Sequence, residues 1–167
     1  HTRYPLVTGV QTCALPIYLT NVANYLSLSP DNPSAITING TAFAPSGQGQ
    51  GFRGLPADEN SPSRFIRVLT NARFATPQAD GPATELQAIR LLHGFDLVPG
   101  TVIEDTPHGM MPLLTMWSTV ANLTGNRYLF NSYDSPQWFA YDLASLDFST
   151  SRCSPMPTAD GLKPATF

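Results

Sequence analysis

The residues of this chain that could do chemistry are two thiols, three imidazoles, an adjacent carboxylate pair and an arginine near an expected helix start. Cys13 and Cys153 are the two cysteines among 167 residues. They would fit a disulfide, or a nucleophile activated as its thiolate. His93 falls on the apolar side of an expected helix and reads as a core histidine; His108, beside Gly109 in a loop, could line a pocket. Asp58 and Glu59 suggest acid–base work, yet neighbouring residues rarely face one site, so loop capping is the better reading. Arg64 sits in the first turn of an expected helix, where an arginine is ordinarily solvated or ion-paired; Arg67 reads as structural, a partner for Asp58 or Glu59. No His, Cys, Asp or Glu cluster has metal-ligand spacing, and no cofactor is expected. The run Ser46-Gly47-Gln48-Gly49-Gln50-Gly51 lacks the Lys-Ser/Thr ending of a phosphate loop and reads as a flexible loop. Asn39-Gly40-Thr41 and Asn122-Leu123-Thr124 fit the glycosylation pattern and are both discounted, the second because it ends a strand.

These candidates depend on which residues belong to the fold. His1 to Ile17 reads HTRYPLVTGVQTCALPI, and Val7 to Ile17 resembles the conceptual translation of a sequencing adapter. Residues 1–17 are therefore expected to be a non-native segment, and 18–167 the C-terminal part of a longer protein. Cys13 is then neither nucleophile nor disulfide partner, and a single remaining thiol argues against a disulfide framework.

Composition narrows the class. About 150 residues can build one domain or part of one. Charged residues make up only 13%, which suits sheet with long neutral loops better than a solvated helical bundle. Net charge is −3; setting aside Arg3 leaves 8 basic against 12 acidic residues, or −4. Basic residues do not cluster, so no nucleic-acid partner is expected. No apolar run approaches the ~18 residues of a membrane span.

The elements that must position these residues follow from periodicity. Leu19, Val22, Tyr25 and Leu26 predict a helix over 18–28 that ends before Ser29-Pro30. A strand is expected over 35–38. Ser61-Pro62-Ser63 opens a second helix, with Ser61 as N-cap, Pro62 in the first turn, and Phe65, Ile66, Leu69 and Phe74 as its apolar face to about Ala75. A third helix is expected over 83–95, burying Leu86, Ile89, Leu92 and His93. Beyond Pro112, strands are predicted at 113–122, 127–133 and 138–142, with turns at Thr124-Gly125-Asn126 and Asp134-Ser135-Pro136, giving an antiparallel meander. Trp117 and Trp138 read as sheet-packing residues. Helices followed by a hairpin sheet make the class α+β, open on one side.

Three segments carry a resemblance to a known family. LTNVANYLSLSP (19–30) is similar to a "LTNLRNYLNLSP" helix, and GFRGLPADENSPSRFIR (51–67) resembles the more specific block "GxxGLPGDxxSPSRFxR". TMWSTVANL (115–123), with Arg127-Tyr128 and Tyr133-Asp134, is similar to a closing hairpin "TQWTVVADLxxxRYYxxTYD". Together they resemble the C-terminal half of the choloylglycine hydrolase family of bile salt hydrolases and penicillin V acylases.

That resemblance implies an αββα N-terminal-nucleophile hydrolase sandwich, of which this would be the C-terminal part. It implies a cysteine amidase acting on linear amides of the penicillin V, conjugated bile salt or N-acyl homoserine lactone type. The processed N-terminal cysteine would attack the carbonyl with its own α-amine as base. The nucleophile, an early Arg and Asp, and the oxyanion asparagines would lie outside this chain, which is itself expected to be inactive. Asn21 should not be mistaken for one of those asparagines. Arg64 matches the family's "SRF" arginine, with the implied role of stabilising charge at the thiolate and the tetrahedral intermediate. Ala57 replaces the usual glycine before Asp58, and Met116 stands where Gln is common. The resemblance further implies a small-molecule acyl amide as partner, a homotetramer at full length, a bacterial source, and a periplasmic or secreted location, otherwise cytoplasmic. The alternative is a non-catalytic binding protein that kept the sandwich.

Overall fold

The computed structural model describes residues 18–151, 153 and 155, so the expected adapter segment and Cys13 lie outside the described residues. The chain divides into two compact units, His1–Thr76 and Pro77–Phe167.

In the first unit, residues 18–22 are α-helical (α1) and continue as a 3-10 turn, Ala23–Tyr25. The helix expected to reach 28 therefore tightens early, and Leu28 closes it with its N–H on the Tyr25 carbonyl at 3.1 Å. A hairpin follows, β1 (Ile36–Ile38) against β2 (Thr41–Phe43), with Ile38 facing Thr41. Only its first strand is expected from sequence. The connection is Asn39-Gly40, both at positive φ (50° and 81°), the pairing that a two-residue primed turn demands. Helix α2 spans Ser61–Phe74. Its buried face is Ile66 (1% exposed) and Thr70, and Leu28 is the other buried apolar side chain among the described residues of this unit; fully burying Ile66 stabilises by roughly 2–3 kcal/mol. Phe65 stacks on Tyr18 with ring centroids 5.5 Å apart, and Phe52 packs on Phe74.

In the second unit, helix α3 spans Gly81–His93, starting two residues earlier than predicted. Asp80 is its N-cap, accepting the Ala83 N–H at 2.8 Å, and Pro82 lies in the first turn. Its buried residues are Glu85 and Ile89. The expected face is thus corrected: Leu86 is half exposed and His93 is exposed, not a core histidine. The face turned because the Glu85 carboxylate finds two polar partners on the sheet.

A second hairpin, β3 (Ile103–Thr106) with β4 (Gly109–Pro112), fills a stretch for which no strand is predicted. The meander is present as β5 (Trp117–Asn122), β6 (Arg127–Ser132) and β7 (Phe139–Asp142), all antiparallel in the order β5-β6-β7. The first strand starts at Trp117 rather than 113, because Thr115 is taken by a turn, its hydroxyl accepting the Leu97 N–H at 2.9 Å and donating to the Phe95 carbonyl.

Register sorts the sheet into two faces. Val120, Leu129 and Ala140 share one, with Asn122 and Arg127, and α3 packs there. Trp117, Tyr128, Phe130, Phe139 and Tyr141 share the other with Thr119, Ala121 and Ser132, and none of these carries a charge. Trp117 lies on this sheet face and is 51% exposed. The described residues are α+β, helices followed by an antiparallel meander.

Candidate active-site segment

Residues 51–67 form one continuous device in the first unit. It begins where the backbone of Gly51 meets that of Ser29, whose N–H donates to the Gly51 carbonyl at 3.0 Å. A Cβ on Gly51 would fall within contact distance of the Ser29 and Asp31 carbonyl oxygens, so a side chain is excluded there. Phe52 to Leu55 is then a type II turn. Arg53 has φ −60° and ψ 125°, Gly54 has φ +94°, and the Leu55 N–H reaches the Phe52 carbonyl at 3.0 Å. The two glycines of the "GxxG" pattern thus serve different needs, close approach at 51 and left-handed backbone at 54.

The preceding stretch is a loop, as expected, and side-chain bonds tie it to Asn32. The Asn32 amide donates to the Gly47 carbonyl at 2.7 Å, its oxygen accepts the Gln50 N–H at 2.9 Å, and Gln50 donates to the Ser46 hydroxyl. Ala57 is not among the described residues with positive φ, so the replacement of glycine there introduces no such strain.

The entry to α2 departs from prediction in an informative way. Asn60, not Ser61, is the N-cap residue, and its side chain makes no capping bond. Asp58 braces the loop before the helix instead: its carboxylate accepts the Asn60 N–H at 3.0 Å and the Ser63 hydroxyl at 2.6 Å. Those bonds, the Ser63 hydroxyl first, hold the Asp58 carboxyl below its ordinary value. Arg67 reaches back from the next turn: its guanidinium bonds the Asp58 carbonyl and pairs with the Glu59 carboxylate at 2.8 Å. Loop capping by Asp58 and a structural pair for Arg67 are the expected roles, and the geometry carries both.

Arg64 lies between these attachments, half-buried, with its N–H on the Asn60 carbonyl at 2.9 Å. A cation in the first helical turn adds to the positive end of the helix dipole and costs helix stability. The same superposition suits a developing anion, such as a thiolate or an amide oxyanion. The other candidates fall elsewhere. His93, His108 and Cys153 are exposed residues of the second unit, with His108 at the tip of the β3–β4 hairpin. Asn21 accepts a side-chain bond from Asn24. Asn122 is engaged by Glu85 and the Gly125 N–H. Among the described residues, no group of His, Cys, Asp and Glu could hold a metal ion. The second unit also carries an open, mostly apolar cleft of about 510 Å³ between Leu97-Val98 and Tyr133 to Pro136, which none of the expected site residues lines.

The sequence of residues 8–158 matches the model of linear amide C–N hydrolases, choloylglycine hydrolase family. The chain belongs to the choloylglycine hydrolase family. It is 29% identical over 135 residues to a bile salt hydrolase/transferase of Bifidobacterium longum, covering 80% of this chain and 41% of that protein. A conjugated bile acid hydrolase of Lactobacillus acidophilus is 32% identical over 89 residues, covering 53% of this chain and 28% of that one. The fold resembles a variant of the conjugated bile acid hydrolase from Clostridium perfringens. The TM-score is 0.66 at 23% identity, over 82% of this chain and 41% of that one. This choloylglycine hydrolase family chain therefore spans less than half the length of these relatives. No helix among the described residues is long and apolar enough to cross a membrane.

Proposed function

We propose that this chain is the C-terminal part of a hydrolase that cleaves a linear amide C–N bond in a small acyl amide. The nucleophile would be a processed N-terminal cysteine contributed by residues outside this chain. Its thiolate would add to the carbonyl carbon, the oxyanion would collapse with departure of the amine, and water would release the acyl group from the thioester. Arg64 would stand by the thiolate and the oxyanion, stabilising negative charge as it forms. The observation that carries this reading is the seat of Arg64 in a fixed first turn of α2, within a segment that matches the family model.

The names of the relatives favour bile acid conjugates as substrates, with penicillin V and N-acyl homoserine lactones as the alternatives. Export to the periplasm or beyond the cell, and assembly as a tetramer, belong to the same proposal. So does the adapter origin of residues 1–17. The family match begins at residue 8, inside that segment, which makes the Ile17–Tyr18 junction the place to sequence in the source DNA.

The test is hydrolysis of the three amide classes by the family-length protein. Arg64→Ala should lower kcat/KM on the order of 10²–10³-fold, as for loss of one oxyanion donor. A fully active Arg64→Ala variant sinks the assigned role. A family-length protein with no processed cysteine and no turnover would be a binding protein instead.

A further inference from the structure

Helix α2 starts without a side-chain cap from its own N-cap residue, Asn60. Its first turn is instead fixed by bonds that cross between loop and helix. Asp58 grips Asn60 and Ser63 from the loop side, while Arg67 grips Asp58 and Glu59 from the helix side. Arg64 is bracketed by these two attachments. Ile66 and Thr70, the buried residues of the helix, lie on a different face from Arg64.

We propose that Arg67 and Glu59 are positioning residues for Arg64, setting where its guanidinium stands by fixing how the chain enters α2. The inference rests on the reading of Arg64 as the residue that meets the reacting group. The Arg67 side chain is 11% exposed and that of Glu59 28%, so water screens this pair less than an ordinary surface pair. Arg67 uses both terminal nitrogens, one on a carbonyl and one on a carboxylate. That fork is planar and preorganised; a lysine can satisfy one partner well but not both. With the pair broken, the apolar face of α2 still has its core contacts. The helix should remain while its first turn loosens, carrying Arg64 off its mark. Small misplacements of this kind act on turnover more than on substrate affinity.

The experiment compares Arg64→Ala, Glu59→Gln, Arg67→Lys and Arg67→Ala in the family-length protein, with kcat, KM and melting temperature measured for each. Arg64→Ala reads the underlying assignment: if it retains activity, that reading fails and positioning has no object. With Arg64→Ala inactive, Glu59→Gln should lower kcat about tenfold, with KM within about twofold and little change in melting temperature. Arg67→Lys should recover part of what Arg67→Ala loses. Glu59→Gln is nearly isosteric, so it remains informative if Arg67→Ala does not fold. Wild-type kcat in Glu59→Gln and Arg67→Lys, beside an inactive Arg64→Ala, would overturn the proposal. So would losses that merely follow the fraction of unfolded protein.

Discussion

Arg127 Nη1 stands 3.0 Å from the Glu85 carboxylate, joining helix α3 to the middle strand of the three-stranded sheet. Glu85 is 6% exposed, and its other oxygen accepts the Asn122 amide at 2.7 Å. A carboxylate this shielded persists only because both oxygens are satisfied. Glu85→Ala would take a partner from the Asn122 amide and from the partly exposed Arg127, and should cost roughly 1–3 kcal/mol. Glu85→Gln, which can still meet Asn122, should cost less. Denaturant unfolding followed by the fluorescence of Trp117 and Trp138 would separate them; equal midpoints for wild type and Glu85→Ala would refute the pairing.

Gly51 and Gly54 should respond differently to the same change. At Gly54 an added methyl meets open space, so Gly54→Ala costs only the left-handed backbone, about 1 kcal/mol. At Gly51 the methyl meets two backbone carbonyls, which cannot yield as a flexible side chain would. Gly51→Ala should therefore lower the melting temperature clearly more than Gly54→Ala. The reverse order would contradict the Ser29–Gly51 contact.

The Asp58 carboxyl titrates below its ordinary value because Ser63 and the Asn60 N–H stabilise its charged form. For a lowered pKa, the stabilising contribution is present above the unfolded-state value and is lost as pH falls through the folded-state value. The start of α2 should thus loosen only in strong acid. Ser63→Ala removes the largest cause and should move the Asp58 midpoint upward, as read from its carboxyl carbon by NMR. An unmoved midpoint would exclude the Ser63 bond.

The uncharged aromatic face of β5–β6–β7 should govern how this chain behaves in solution. Trp117, Tyr128 and Tyr141 are 51%, 37% and 40% exposed on it. Apolar area of this kind favours self-association. Tyr141→Lys should reduce dye binding and aggregation without lowering the melting temperature, as measured by light scattering beside a thermal melt. Unchanged scattering would place the sticky surface elsewhere.

What could be read from sequence was what neighbouring residues decide. β-Branched and aromatic residues over Trp117–Asn122 and Arg127–Ser132, with short polar turns between the strands, announce the meander, and Pro62 marks α2 to within a residue. Asn39-Gly40 between apolar runs is an equally local signal for β1–β2, as Asp80-Gly81-Pro82 is for the start of α3. Other features were not local. Glu85 looks like a solvent-facing residue until Asn122 and Arg127 fold over it. Ser61 looks like a cap, yet the helix begins one residue earlier with Asn60 at the N-cap. For Arg64, the chain alone supports an ordinary helix-start arginine, and only the surrounding motif suggests more. The order of the loop before Gly51 depends on Asn32, 18 residues before Gln50, which no window of neighbours contains.

The junction of Ser29 with Gly51, seconded by Asn32 with Gln50, pinches shut the base of the excursion that carries the β1–β2 hairpin. Both ends of that excursion are anchored before the chain reaches the turn at Gly54. Chain closed at its neck can grow or shrink at its tip with only a slow rise in closure entropy. Residues inserted or deleted at the hairpin tip should therefore leave the turn and helix beyond the neck in place.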